Sequence, residues 1–222
     1  MAGKAAKKEL KQPDLFQLFF RQAINYAAEN RSRVYIISGI VALLLLISSG
    51  WYVFRLNYEG NARNIYARAY DAQIKEDLKQ AIKVYREVTA KYPDSQAATI
   101  AYYQLGNLHF RLHEIDASIK AYQETLKKAP KDTDISTLTY EGLGYCYESR
   151  KNFEDALKSF EKAVKTDVKG SFEGDNYRNI ARIYEQLNKG EKALEYYRKA
   201  LDKNKDPFVD MLIKKKMSSI TD

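Results

Sequence analysis

Metal ligands and nucleophiles come from histidine, cysteine and acidic residues, and this sequence brings few of them together. His113 is followed by Glu114 and Asp116, so three potential metal ligands lie within four residues. Three such residues in a loop are usually solvated, and no second histidine completes the set of ligands that a zinc site needs. We therefore predict no metal site.

The single cysteine, Cys146, stands between Tyr145 and Tyr147 in a segment with helical spacing. One cysteine cannot form an internal disulfide, and a cysteine buried on a helix is inert as a nucleophile. The sequence also lacks a Gly-rich phosphate loop, a nucleophile motif and a paired-carboxylate constellation. We therefore predict a protein that is not an enzyme and has no cofactor.

The distribution of charge argues against nucleic-acid binding. The 222 residues carry 37 Lys and Arg against 29 Asp and Glu, a formal net charge of +8. Positive and negative residues are interleaved, without the dense basic stripe that neutralises many phosphates. Hydrophobic residues make up 45% of the chain, and glycine and proline number only 10 and 4. This composition favours an all-α globular region over an all-β one.

Residues 34–54 form a run of 21 residues without a charge, VYIISGIVALLLLISSGWYVF, between Arg33 and Arg55. A helix needs about 20 apolar residues to cross a bilayer core, and Tyr35 and Trp51 stand near the ends, where interfacial aromatic residues anchor a span. A buried core helix would carry one apolar stripe, and a cleaved signal peptide would have a shorter apolar run. We predict an uncleaved transmembrane helix at residues 34–54.

Residues 1–33 form a basic tail that we expect on the cytoplasmic side of the membrane. Seven Lys and Arg stand there against three acids, and a long C-terminal domain can be exported regardless of its charge. Within about 15 residues of each end of the span the counts of Lys and Arg are equal. From Asp14 to Asn30 the pattern is helical and strongly apolar. We expect an amphipathic helix in the lipid headgroups, with a partner-binding helix on the inner face as the alternative.

Residues 55–222 contain a repeat with intervals of 37 and 38 residues. A small residue recurs at Ala81, Ser118, Ala156 and Ala193. Four residues later comes an aromatic residue, at Tyr85, Tyr122, Phe160 and Tyr197. Twelve residues before each small residue lies another, at Ala69, Gly106, Gly144 and Ala181. We predict that each unit is a pair of antiparallel helices that cross at the small residues, with the aromatic residue filling the gap between hairpins.

These units resemble tetratricopeptide repeats. The second unit has the family's spacing at Tyr102, Leu105, Gly106, Ser118, Tyr122 and Pro130. The third and fourth units repeat the pattern, whereas the first is degenerate in its first helix. The resemblance covers about residues 62 to 206 and implies an α-solenoid of about four hairpins. We expect Phe208 to Met217 to form a helix that covers the end of the stack. His109 falls where the repeat has an aromatic residue, so it should be a packed core side chain.

The first helices of such an array line a concave face, which we expect to bind a protein or peptide. The residues at the exposed positions of these helices are Arg63, Tyr66, Tyr70, Gln73, Tyr103, Asn107, Phe110, Arg111, Glu141, Tyr145, Glu148, Arg178, Arg182 and Glu185. Aromatic and arginine side chains of this kind dominate binding hot spots. The third unit is acidic and the fourth is basic, which would orient a bound peptide. The alternative is a merely solvated face.

The order of segments also resembles the bacterial ancillary SecYEG translocon subunit family (YfgM-like). A basic inner-face segment and one span are followed by Asn61, Ala62 and Arg63, which enter the first repeat helix. The resemblance implies a single-pass protein of the bacterial inner membrane whose periplasmic repeats act near the Sec translocon with periplasmic chaperones. Two alternatives stay open: a cytosol-facing targeting receptor, and an assembly factor for another envelope complex.

Overall fold

The computed structural model describes residues 15–204 and 206–221, and all regular structure within these ranges is α-helical. The helices are α1 (Leu15–Glu29), α2 (Arg31–Ile74), α3 (Leu78–Lys91), α4 (Gln96–Arg111), α5 (Ile115–Lys128), α6 (Asp134–Ser149), α7 (Phe153–Thr166), α8 (Glu173–Gln186), α9 (Gly190–Lys203) and α10 (Pro207–Thr221). The chain divides into two compact units, residues 1–55 and 56–222. The Lys-rich start of the basic tail lies outside the described residues.

The first unit contains α1 and the apolar part of α2, and both expose their apolar side chains. Helix α1 confirms the predicted helix, and Phe16, Phe19 and Ile24 on it are exposed. The most apolar window of α2 has a mean hydropathy of 2.1, and none of it is buried within the protein. The helix is therefore long enough and apolar enough to cross a membrane, and it is not the buried core helix that was the alternative.

The second unit is a series of four helical hairpins. Hairpin 1 pairs the end of α2 with α3, and the pairs α4–α5, α6–α7 and α8–α9 form hairpins 2, 3 and 4. Each hairpin turns through a non-glycine residue with a positive φ of 54° to 59°, and these residues are Glu76, His113, Lys151 and Asn188. His113 is thus a turn residue. A residue in the left-handed conformation cannot continue a right-handed helix. Each first helix therefore ends before one of these four residues.

Aromatic side chains from the second helices fill notches made by glycine in the first helices. The ring of Tyr122 on α5 lies against Gly106 of its own hairpin and Gly142 of the next. A Cβ atom at Gly142 would lie 2.5 Å from that ring, and a Cβ atom at Gly144 would lie 2.5 Å from the ring of Phe160. Helices can approach this closely only where the residue has no side chain. The predicted pairing of small and aromatic positions is therefore confirmed for hairpins 2 and 3.

Burial follows the repeat pattern across the hairpins. Tyr85 and Phe160 are fully buried, and the three apolar clusters of the unit join neighbouring hairpins. Cys146 is also fully buried, with its Sγ atom 3.2 Å from the Ser118 hydroxyl, and burial raises the pKa of its thiol. The thiol therefore stays protonated and acts as a small packing group. His109 is buried as well, as the repeat pattern predicts.

Helix α10 covers the end of hairpin 4. Ile213 is buried in the cluster formed with α8 and α9, and Val209, Met217 and Ile220 pack against that cluster. The capping helix is confirmed, but it extends from Pro207 to Thr221, beyond the predicted Phe208 to Met217. It is longer because Ile220 continues the apolar stripe and reaches Gly190 at the start of α9.

The Gly144 notch gives a direct test of this packing. Gly144→Ala places a methyl group against the Phe160 ring, and overpacking of this kind costs about 1–3 kcal/mol. That cost exceeds the gain of up to about 1 kcal/mol that alanine brings to a helix. Thermal unfolding of the full chain in detergent micelles, followed by circular dichroism, should show a fall in the midpoint of a few degrees.

Gly174→Ala is the matched control. A Cβ atom there meets atoms no closer than 3.5 Å, so alanine should keep or raise the midpoint. A Gly144→Ala variant as stable as this control would contradict the notch.

Candidate protein-binding face

The first helices of the hairpins lie side by side and form one continuous surface, which we call the first-helix face. Helix α4 contacts α6 directly. Arg111 of α4 donates to the Glu76 carboxylate at the end of hairpin 1, with an N–O distance of 2.5 Å. Asn179 of α8 donates to the Tyr145 hydroxyl of α6 at 2.9 Å. Side chains from successive first helices therefore interlock along the face.

Tyrosine rings dominate the face in hairpin 1. The rings of Tyr66 and Tyr70 are nearly parallel, with centroids 6.5 Å apart, and Tyr66 also packs 5.3 Å from Tyr85. The Tyr85 hydroxyl donates to Gln73 Oε1 at 2.8 Å. Tyr70 remains 46% exposed. The Tyr70 ring is therefore accessible to a partner, while packing holds Tyr66 and Tyr85 in place.

The same arrangement continues into hairpin 2. The Tyr103 ring packs 6.0 Å from the Tyr122 ring, and the Tyr122 hydroxyl donates to Asn107 Oδ1 at 2.6 Å. Burial raises the pKa of both tyrosines. Both hydroxyls therefore stay protonated, so Tyr122 keeps Asn107 oriented at any physiological pH.

A carboxylate is half-buried on the face between hairpins 2 and 4. Glu141 Oε1 accepts a hydrogen bond from the Tyr145 hydroxyl at 3.0 Å. Burial raises the pKa of Glu141, and the charge of Asp175 raises it further, although Tyr145 and Arg178 act in the opposite direction. Burial likewise raises the pKa of Tyr145 to about 12. The ionised form of Glu141 is therefore held at a cost in stability.

Most of the other charges on the face are paired within the protein. Arg182 binds both carboxylate oxygens of Glu148, at 2.9 and 2.6 Å, and its guanidinium lies 5.6 Å from the Tyr145 ring centroid. Arg178 pairs with Asp175 at 2.8 Å. The expected gradient from an acidic third unit to a basic fourth is therefore weaker than the sequence suggests, because acid and base neutralise each other across the hairpins.

Two of the predicted residues lie partly inside the protein, and a third is exposed. Phe110 packs against the buried cluster of Ile119 and Tyr122. Arg63 is exposed on α2. Glu185 is mostly buried and lies 3.5 Å from Lys216 of α10, so the capping helix covers it.

Sequence reasoning missed Asn179, which is 1% exposed and joins hairpins 3 and 4. The sequence feature that could have identified it is a polar residue directly before the apolar Ile180 and Ala181 of the repeat.

A histidine and a glutamate near the second turn contact each other through their side chains. His109 Nδ1 lies 2.5 Å from Glu114 Oε2, and Arg86 lies 3.4 Å from His109 Nε2. Within residues 15–204 and 206–221, no group of three His, Cys, Asp or Glu side chains could hold a metal ion. Glu114 thus holds the buried imidazole in place.

The raised pKa of Glu141 predicts a pH-dependent change in stability. Because its pKa is higher in the folded than in the unfolded chain, stability is lost as the pH rises through the folded value. Glu141→Gln removes the charge and keeps an acceptor for Tyr145. The variant should therefore unfold at a higher temperature than the wild type at neutral pH, and the difference should vanish below the ordinary glutamate pKa.

Glu148→Gln is the control for that measurement. It breaks the pair with Arg182 and should cost about 1 kcal/mol at neutral pH. A Glu141→Gln variant that is less stable than the wild type at neutral pH would contradict the assignment of a costly charge.

Comparison with known proteins identifies the repeat. Three models described as tetratricopeptide repeat match residues 65–95, 99–132 and 134–206. Superkiller complex protein 3 of Homo sapiens is 27% identical over 141 residues, which is 63% of this chain and 8% of that protein. Photosystem I assembly protein Ycf3 of Synechococcus is 34% identical over 61 residues, 28% of this chain and 35% of that one. The chain thus spans a small part of these relatives.

A solved structure supports the same fold. BtubC from P. vanneervenii superposes with a TM-score of 0.64 at 17% identity, covering 76% of this chain and 75% of that one. Repeats of this kind are protein-interaction scaffolds that are typically non-catalytic. Residues 65–206 of the chain therefore belong to the tetratricopeptide repeat family.

Proposed function

We propose that this protein is a membrane-anchored scaffold that binds a segment of a partner protein on its first-helix face. The observation that carries the proposal is the set of ordered side-chain contacts along that face, within hairpins 1 and 2 and between hairpins 3 and 4. Tetratricopeptide repeats expose such a surface for protein partners, and here aromatic rings and arginines supply the residue types of binding hot spots.

The face is rigid before a partner arrives. The hydroxyls of Tyr85 and Tyr122 hold Gln73 and Asn107, and Glu148 holds Arg182. Side chains that are already ordered lose little entropy on binding. The aromatic half in hairpins 1 and 2 would supply apolar contact area, and the polar half in hairpins 3 and 4 would supply hydrogen bonds.

The anchor is the uncharged segment 34–54 of α2. Its apolar side chains are exposed in the chain itself, and a continuous apolar surface of this size is unfavourable in water. Lipid would cover it. Helix α1, whose Phe16 and Phe19 are also exposed, would lie in the headgroup region, where an amphipathic helix buries one face.

We propose further that residues 1–33 face the cytoplasm and that the repeats face the periplasm of a bacterial cell, near the Sec translocon and its chaperones. The order of segments supports this placement, since it resembles that of the YfgM-like family, and so does the excess of Lys and Arg before the span. The second candidate is an assembly factor. It is favoured by the 34% identity to a photosystem I assembly protein.

Capture of partners tests the role of the first-helix face. The double variant Arg63→Ala/Tyr70→Ala removes two exposed side chains of the face. Proteins that co-purify with the wild-type chain from detergent-solubilised membranes are measured by quantitative mass spectrometry. We expect their amount to fall by about tenfold or more in the double variant.

The matched control is Arg198→Ala/Phe208→Ala on α9 and α10, which also removes an exposed arginine and an exposed aromatic side chain, but outside the first helices. It should retain the wild-type set of proteins. Equal loss in the two double variants, or no loss in either, would contradict binding on the first-helix face.

Labelling with an impermeant maleimide tests the orientation. Single cysteines replace Lys4 or Lys203 in a chain in which Cys146 is replaced by serine. In intact cells we expect only the cysteine at position 203 to react. If that cysteine reacts only after the membrane is opened, the repeats face the cytosol. A cytosol-facing targeting receptor then becomes the better account.

A further inference from the structure

We propose that Glu141 determines the specificity of the first-helix face by receiving the side chain of a lysine or arginine from the bound segment. The inference rests on the proposed function of that face and names the chemistry of its partner. It starts from the position of Glu141, on the first helix of hairpin 3, between the tyrosines of hairpin 2 and the polar residues of hairpin 4.

Glu141 is the carboxylate of the face that lacks an ion-pair partner among the described residues. Glu148 is bound by Arg182, and Glu185 is bound by Lys216. The charge of Arg178 acts on Glu141 and lowers its pKa, but the Arg178 guanidinium is already paired with Asp175 at 2.8 Å. A partly buried charge that the protein itself leaves without a counter-ion is a place for a ligand's charge.

The carboxylate also has unused hydrogen-bonding capacity. An ionised carboxylate can accept about four hydrogen bonds. Tyr145 donates one at 3.0 Å, and the Asn179 amide, which donates to the Tyr145 hydroxyl, is near enough to lower the pKa of Glu141. A lysine ammonium or an arginine guanidinium would supply the remaining donors.

Tyrosines surround the carboxylate in a way that suits a cation. Tyr145 contacts Glu141 directly, and Tyr103 and Tyr122 lie close enough that the Glu141 charge adds to burial in raising their pKa values. Aromatic rings attract cations over their faces, and they also pack against the apolar stem of a long basic side chain. Tyr122 is 2% exposed and packs between the hairpins, so Tyr103 and Tyr145 are the rings beside which a ligand could lie. A carboxylate bordered by these two tyrosines favours a basic side chain over a neutral one.

An acidic ligand fits this region less well. The two arginines nearby, Arg178 and Arg182, are both engaged with carboxylates of the protein. An anion would have to break one of these pairs and would approach Glu141 and Asp175. A cation would instead pair with the ionised Glu141 carboxylate and offset the cost of burying its charge.

Selection from a displayed library of random peptides tests the inference, with the full chain held in lipid nanodiscs. Peptides retained by the wild type should contain Lys or Arg at one position in clear excess over the unselected library. The excess should disappear in Glu141→Gln. It should persist in Glu124→Gln, a control that removes a partly buried carboxylate, paired with Lys127, on α5, a second helix.

A retained peptide is then synthesised with an acetylated N-terminus, so that no free α-amine can replace the side chain. Replacing its basic residue with Met should weaken binding to the wild type by about tenfold or more and should leave binding to Glu141→Gln unchanged. Binding to the wild type should also weaken on acidification, beginning at a higher pH than an ordinary glutamate would give, because Glu141 must be ionised. The pKa values of the surrounding Tyr103, Tyr122 and Tyr145 are raised, so these groups do not ionise in that range.

The outcomes separate the inference from the proposed function. If the retained peptides show no excess of basic residues but do not bind Arg63→Ala/Tyr70→Ala, the role of Glu141 is overturned. The first-helix face then remains a binding surface. An excess that persists in Glu141→Gln overturns the inference in the same way. Peptides that bind Arg63→Ala/Tyr70→Ala as well as the wild type, or a failure to retain any peptide, overturn both.

Discussion

In hairpins 2 and 3 the packing depends on the fit of an aromatic ring, Tyr122 or Phe160, into a notch left by glycine. No hairpin buries its apolar face alone, so this fit between neighbours supplies the core. Rings of the second helices also fix the first-helix face, because the hydroxyls of Tyr85 and Tyr122 hold Gln73 and Asn107. Phe160 lacks a hydroxyl and packs edge-on against Tyr145 instead, with centroids 5.3 Å apart. Stability and the shape of the binding face thus have a common origin.

Much of this fold could be predicted from the sequence, because the repeat positions depend on residue size. Gly106 with Tyr122 and Gly144 with Phe160 indicate close helix crossings from their spacing alone. The pairing of charges could not be predicted in this way. Arg182 and Glu148 are 34 residues apart, and a repeat pattern shows which face each occupies but not that their side chains reach each other. The capping helix conceals Glu185 for a similar reason, since its reach depends on packing at Ile220.

The paired charges give the two halves of the face different properties. In hairpins 1 and 2 the stacked Tyr66 and Tyr70 present apolar area with a fixed orientation. In hairpins 3 and 4 the neutralised pairs present hydrogen-bonding groups, with Glu141 as the remaining charge. A partner segment that matched both halves would need an apolar or aromatic part and a basic part at a set distance. Such a two-part requirement gives specificity through the cost of a mismatch.

Site-specific photo-crosslinking in cells tests the central claim most directly. A photoreactive phenylalanine analogue replaces Tyr70 on the first-helix face or, in a second strain, the exposed Phe208 on α10. The account predicts that the analogue at position 70 gives discrete crosslinked products with partner proteins, and that the analogue at position 208 gives few or none. Products of equal amount and identity from both positions, or products from position 208 alone, would contradict it, because partners would then bind outside the first-helix face.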